Sequence, residues 1–204
     1  MIASGATNTT AGVLVLVVGP SGVGKDTLLR GAQAYFADDD RVSFAVRTIT
    51  RPYDPNERHR VVTITEFERV RVDGGFALWW QAHGLHYGVP ISIDADLAAG
   101  RMIVCNASRT IIADVRRRYS ATAVIEITAA RDERLARLNA RAREETSEIE
   151  RRLDRHVAMS DADGADIVIE NSGAPDIGIR ALIEALGSHL GPRAHGVQQT
   201  PATS

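Results

Sequence analysis

Gly19-Pro20-Ser21-Gly22-Val23-Gly24-Lys25-Asp26-Thr27 follows directly on an apolar run, Val13 to Val18, and leads into a helix-forming stretch, Thr27 to Phe36. Strand, glycine-rich turn and helix in that order form the setting in which a loop cradles phosphates. Glycines let the backbone curl with its N–H groups pointing inward at a polyphosphate. The helix N-terminus adds partial positive charge, and Lys25 adds a full one within reach of the β- and γ-phosphates. This stretch predicts an α/β fold built on a parallel sheet, with Gly19 to Thr27 as the nucleotide site.

One position departs from the usual loop. The residue after the lysine is ordinarily Ser or Thr, whose hydroxyl meets Mg²⁺. Here it is Asp26, with Thr27 one place later. Two readings follow for Asp26. Its carboxylate is a hard oxygen donor suited to Mg²⁺, directly or through water, or it simply caps the helix. Asp26 and Thr27 are both carried forward as metal candidates.

Outward from the loop, 204 residues amount to one domain with room for a substantial core. Hydrophobic residues make up 44% and the net charge is −2, so any anion site is a local cluster and a nucleic-acid or membrane partner is not expected. No apolar run is long enough to span a bilayer. A single cysteine, Cys105, excludes an internal disulfide and fits a reducing cytoplasm. The small-residue-rich ends, 1–11 and 191–204, read as disordered tails around a domain at 12–190. The oligomeric state is not encoded legibly, and a homodimer is compatible with the composition.

Strands are expected at Arg41 to Val46, Val61 to Ile64, Phe76 to Ala82 paired with Leu85 to Val89, Arg101 to Cys105, Thr122 to Ile127 and Asp166 to Glu170. Between them, Thr65-x-x-Glu68 reads as a capping box opening a helix that Asp73-Gly74-Gly75 stops. Further helices are expected over Ser92 to Ala99, Ala107 to Arg118, Arg131 to Arg143 and Pro175 to Leu190. Strand–helix alternation implies a parallel sheet covered on both faces, and residues 47–90 a small α+β insertion. Asn106-Ala107-Ser108-Arg109 falls at the carboxyl end of a strand, the ligand-binding edge of such sheets. Arg131, Arg134, Arg137, Arg141 and Arg143 crowd one region, and the break at Arg141-Ala142-Arg143 suits a mobile lid over 131–156. Asn171, just after the last strand, is a candidate for the nucleotide pocket. His83 and His86 lack further ligands at metal-binding spacing and read as packing or substrate-hydroxyl contacts.

The phosphate loop, Thr50-Arg51-Pro52, His83-Gly84-Leu85-His86-Tyr87-Gly88 and the Arg-x-Arg-Glu stretch at Arg141 to Glu144 together resemble the guanylate-kinase-like family, over about Val13 to Leu186. That resemblance implies a phosphate-loop core, an acceptor-binding insertion and an arginine-bearing lid. Guanine-reading residues are missing: Leu78 stands where the family's guanine-pairing Glu falls, and Asp54 replaces an arginine of the acceptor site. Gly24-Lys25-Asp26, Ile49-Thr50-Arg51, Glu57-x-His59, Ala82 to Val89, Asn106 to Arg109 and Arg143 to Ile149 instead resemble the ribose 1,5-bisphosphate phosphokinases of phosphonate degradation. The resemblance implies ATP as donor, Mg²⁺ as metal and a small sugar bisphosphate as acceptor. A nucleoside monophosphate kinase acting on GMP or a related nucleotide is the alternative. By the same resemblance Lys25, Arg137, Arg141 and Arg143 act on the transferring group. Arg47, Arg51, Tyr87 and Arg109 hold the acceptor.

Overall fold

A computed structural model describes residues 12–52, 59–140 and 164–190. Arg141, Arg143, Asp54, Glu57, both terminal tails and most of the expected lid lie outside the described residues.

β1 (Leu14–Val18) is buried along its whole length and lies at the centre of a five-stranded sheet. The others are β2 (Val42–Phe44), β7 (Met102–Asn106), β8 (Thr122–Thr128) and β9 (Ile167–Glu170), in the order β2-β7-β1-β8-β9. Every pairing in this sheet is parallel. Alternation along β1 explains the two cores. Leu14, Leu16 and Val18 join one apolar cluster, and Val15 and Val17 join the other. A strand covered on both faces carries no polar positions, hence the unbroken Leu-Val-Leu-Val-Val. On the second face lie α1 (Lys25–Tyr35) and α6 (Pro175–Gly187). Gly31 lets them approach, since a Cβ there would stand 2.6 Å from Ile179.

The first face is covered by α3 (Ile93–Ala98), α4 (Ile112–Arg118) and a second sheet. That sheet comprises β3 (Arg47–Ile49), β4 (His59–Val61), β5 (Phe76–Ala82) and β6 (Leu85–Pro90), in the order β4-β3-β6-β5. Its Ile49, Leu78, Trp80, Tyr87 and Val89 belong to the same cluster as Leu14 and Leu16. The insertion therefore shares the main core. β5 and β6 are joined by His83-Gly84, both at positive φ (53° and 72°) between the paired Ala82 and Leu85. This is the primed two-residue turn that matches strand twist.

Three local expectations are corrected. The helix α2 (Ile64–Val72) opens at Thr63, not Thr65. Two boxes overlap in this stretch, and the one that forms is Thr63 with Glu66, whose carboxylate accepts the Thr63 N–H at 2.8 Å. That register buries Phe67, and Glu68 is left to pair with Arg71. The strand expected at Val61 to Ile64 lies earlier, at His59–Val61, because the chain is already turning into α2 at Ile64. The third concerns Ala107 to Arg118, which is not one helix. Ser108 accepts the Thr110 N–H, holding Arg109–Ile111 as a 3₁₀ turn before α4 begins. The triple arginine closing α4 is tied down at every position: Arg116 pairs with Asp166, Arg117 with Asp114 and Arg118 with Asp94.

Candidate active site

The carboxyl ends of β1, β7 and β8 meet where the strand order reverses, the position at which open parallel sheets bind ligands. Register brings Asn106 beside Val17 and Glu126 beside Val18, with the loop rising directly above. Gly24 closes the loop at φ 89° and is the N-cap of α1. Only glycine fits there. Besides the left-handed backbone, a Cβ would come within 2.7 Å of Asn171 Nδ2. Lys25 Nζ arches back over the loop, donating to the carbonyls of Gly19 (2.6 Å) and Pro20 (3.0 Å). Its charge therefore sits at the loop's rim.

Asp26 does not cap the helix. The cap position is Gly24, with no side-chain cap bond, and Asp26 Oδ1 instead accepts from Asn106 Nδ2 at 3.0 Å. Successive helical residues point about 100° apart, so Asp26 and Thr27 face different directions. Thr27 lines a different space, alongside Arg137 and Asn171. The donor set fits Mg²⁺ with Asp26 as the protein's carboxylate. That ion is held by one or two carboxylates plus substrate phosphates rather than by an all-protein cage. Among the described residues no three His, Cys, Asp or Glu side chains cluster in a way that would hold a metal unaided.

Beside the loop is a cavity of about 280 Å³ lined by Gly22, Gly24, Thr27, Leu28, Arg137, Asn171, Gly173 and Pro175. Two of its lining residues, both expected to act on ligands, brace the loop in this structure. Asn171 is buried and donates to the Val23 carbonyl at 2.6 Å. Arg137, on α5 (Arg131–Ala140), donates to the same carbonyl at 3.3 Å and to the Asn171 carbonyl at 2.8 Å. Glu133 steadies the Arg137 guanidinium from one turn away. Arg137 is thus part of the ordered wall of the cavity.

The other wall is cationic and was only partly legible in sequence. Arg134 is buried on α5, with Nε donating to the Ser21 carbonyl at 3.1 Å. Burial, then the charges of Arg109 and Arg131, press its pKa downward. Its environment therefore disfavours its own charge, and an incoming anion relieves that. Arg109 is paired with Glu126 at 2.7 Å, both largely buried. Among the described residues this wall gathers Arg109, Arg131 and Arg134, with Glu126 paired to Arg109. The signal for Arg134 was present in its spacing, since Arg131, Arg134 and Arg137 recur every three residues on one helical face. Asn106 was legible as part of Asn106 to Arg109 at the carboxyl end of a strand, whereas Glu126 gave no such signal.

The insertion supplies the far side. Arg47 is buried, its guanidinium 5.3 Å from the centre of the Tyr87 ring, and Tyr87 stacks on Trp80 at 5.3 Å and 4°. Arg47 also faces His59 across the β3–β4 pair and is felt by Cys105 at the end of β7. It therefore lies between insertion and core. Arg51 follows the end of β3, where Thr50 and His86 exchange hydrogen bonds. Leu78 is buried in the same apolar cluster as Ile111 and Val115, and the three border one cavity.

A phosphate loop on a parallel sheet, flanked by an arginine wall and an insertion carrying further arginines, defines a phosphate-loop kinase. The fold agrees with this class. A guanylate kinase from Anaplasma phagocytophilum aligns with a TM-score of 0.62 over 87% of this chain and 86% of its own, at 17% identity. The chain belongs to the ribose 1,5-bisphosphate phosphokinase family. Relatives bearing that name come from Acidiphilium cryptum, 48% identical over 86% of this chain and 93% of theirs, and from Brucella melitensis, 39% identical over 88% and 94%. No general family model matches the chain.

Proposed function

We propose that this chain moves the γ-phosphoryl group of ATP onto the 1-phosphate of ribose 1,5-bisphosphate, giving 5-phosphoribosyl 1-diphosphate and ADP. The observation that carries the reading is membership of that family over nine-tenths of the relatives' length. In the reaction an oxygen of the 1-phosphate forms the new bond to Pγ while the bond from Pγ to the β–γ bridging oxygen breaks. The acceptor phosphate is already anionic near pH 7, so the step needs no general base. Positioning and charge neutralisation carry the catalysis. Magnesium, when bound, would supply charge neutralisation at the β- and γ-phosphates. Lys25 and the loop N–H groups hold the same phosphates, and Asp26 holds the metal. Arg109, Arg131 and Arg134 form the surface toward which negative charge develops. Arg47, Arg51 and Tyr87 receive the sugar bisphosphate. Arg141 and Arg143, which lie outside the described residues, are further candidates to act on the transferring group. We place the reaction in the cytoplasm, in phosphonate breakdown. The lone thiol supports that compartment. Among the described residues no helix is long and apolar enough to cross a membrane.

The test is ADP release with Mg²⁺·ATP, offering ribose 1,5-bisphosphate and GMP in separate reactions. Turnover of the bisphosphate alone is expected, and Lys25→Ala abolishes it. Turnover of GMP alone overturns the assignment.

A further inference from the structure

The Asp26–Asn106 contact has no place in the usual phosphate-loop arrangement. There, the residue after the lysine offers a neutral hydroxyl to the metal, and an acidic residue at the carboxyl end of a neighbouring strand supplies the charge. Here the first position is Asp26, in the first turn of α1, and the strand-end residue that meets it is Asn106. Asn106 closes β7, directly beside Val17 of the strand that feeds the loop. The two side chains meet at 3.0 Å. A carboxylate only accepts, so the asparagine must present its amide N–H₂ to it.

We infer that carboxylate and neutral partner have exchanged places in this enzyme, and that Asn106 is a positioning residue that aims Asp26 at the metal. The inference rests on the phosphoryl-transfer reading above and adds to it. The exchange conserves the local charge, one carboxylate in either arrangement, which is what a metal flanked by phosphates requires. It moves that charge from the sheet edge onto the helix that carries Lys25. With one oxygen engaged by Asn106, the remaining lone pairs of Asp26 are held in a fixed direction. A carboxylate on a free side chain has no such constraint.

The experiment measures Mn²⁺ binding by the loss of the free-ion EPR signal, on the full chain with a non-hydrolysable ATP analogue. A fluorescent ATP analogue reports metal-free nucleotide binding in parallel, and circular dichroism checks folding. Asn106→Ala is expected to weaken Mn²⁺ roughly tenfold, as loss of an outer-shell partner does, with metal-free nucleotide binding unchanged. Asp26→Ser weakens it further. The exchanged double variant, Asp26→Ser with Asn106→Asp, regains most of what Asp26→Ser loses. Unchanged Mn²⁺ affinity in Asn106→Ala overturns the inference, and so does a double variant no better than Asp26→Ser alone. Failure of the unmodified chain to bind nucleotide at all sinks the phosphate-loop reading instead, and the two failures are therefore separable.

Discussion

Replacing Gly24 by alanine tests the loop architecture at its tightest point. Two costs add. A non-glycine residue at φ 89° loses about 1–2 kcal/mol to the left-handed backbone. The new methyl would also stand 2.7 Å from Asn171 Nδ2. Asn171 has no room to withdraw, because its Oδ1 already lies against Gly178, where even a Cβ would come within 2.4 Å. It must release its hydrogen bond to the buried Val23 carbonyl. Such a loss costs about 1–3 kcal/mol, and the lower end applies because Arg137 still reaches that carbonyl. The sum is about 2–3 kcal/mol. Gly74→Ala is the control. Its φ is 73° and no atom lies within 4 Å of the added methyl, so it carries the backbone term alone. Urea unfolding of both variants, compared at equal m-values, isolates the clash. Saturating ATP at 100 times Kd adds about 2.7 kcal/mol to a binding-competent chain, and Gly24→Ala should gain little of this. If Gly24→Ala costs no more than Gly74→Ala and still gains the full ATP increment, the braced-loop argument is wrong.

Two further outcomes are expected. Leu78→Glu puts a carboxyl into the shared apolar core, costing about 3 kcal/mol or more. That corresponds to a fall in Tm of roughly 6–12 °C; calorimetry should show no gain of GMP binding, and a stable variant that binds GMP would place position 78 in the acceptor site. Cys105 is fully buried, and burial pushes its thiol up to about 12. The native state thus favours the protonated form. This contribution to stability is complete below the unfolded value of about 8.5 and is lost as pH rises toward 12. At pH 8 the native thiol should react with a disulfide reagent at least about a thousandfold more slowly than in urea, because so little thiolate is present. Equal rates would refute the burial.

Legibility in the sequence followed distance along the chain. The strand–loop–helix unit, the hairpin at His83-Gly84 and the parallel sheet were readable because each rests on neighbouring residues. Turn chemistry, alternation and helical period operate within a few positions. Local signals failed where two of them overlapped. Thr63 and Thr65 both head a capping box, and only the burial of Phe67 decides which helix start is used.

The sequence by itself determined that a loop of the phosphate-loop pattern sits on a parallel sheet, that Lys25 belongs to it, and that the residue after Lys25 is anomalous. Only the tertiary structure decided what that anomaly meets. Asp26 finds Asn106 across 80 positions, Ser21 is held by Arg134 across 113, and Val23 by Asn171 across 148. Each of these contacts joins the loop to the carboxyl end of another strand or to the helix that follows one. The order of strands brings them together, and no short-range pattern in the chain encodes that order.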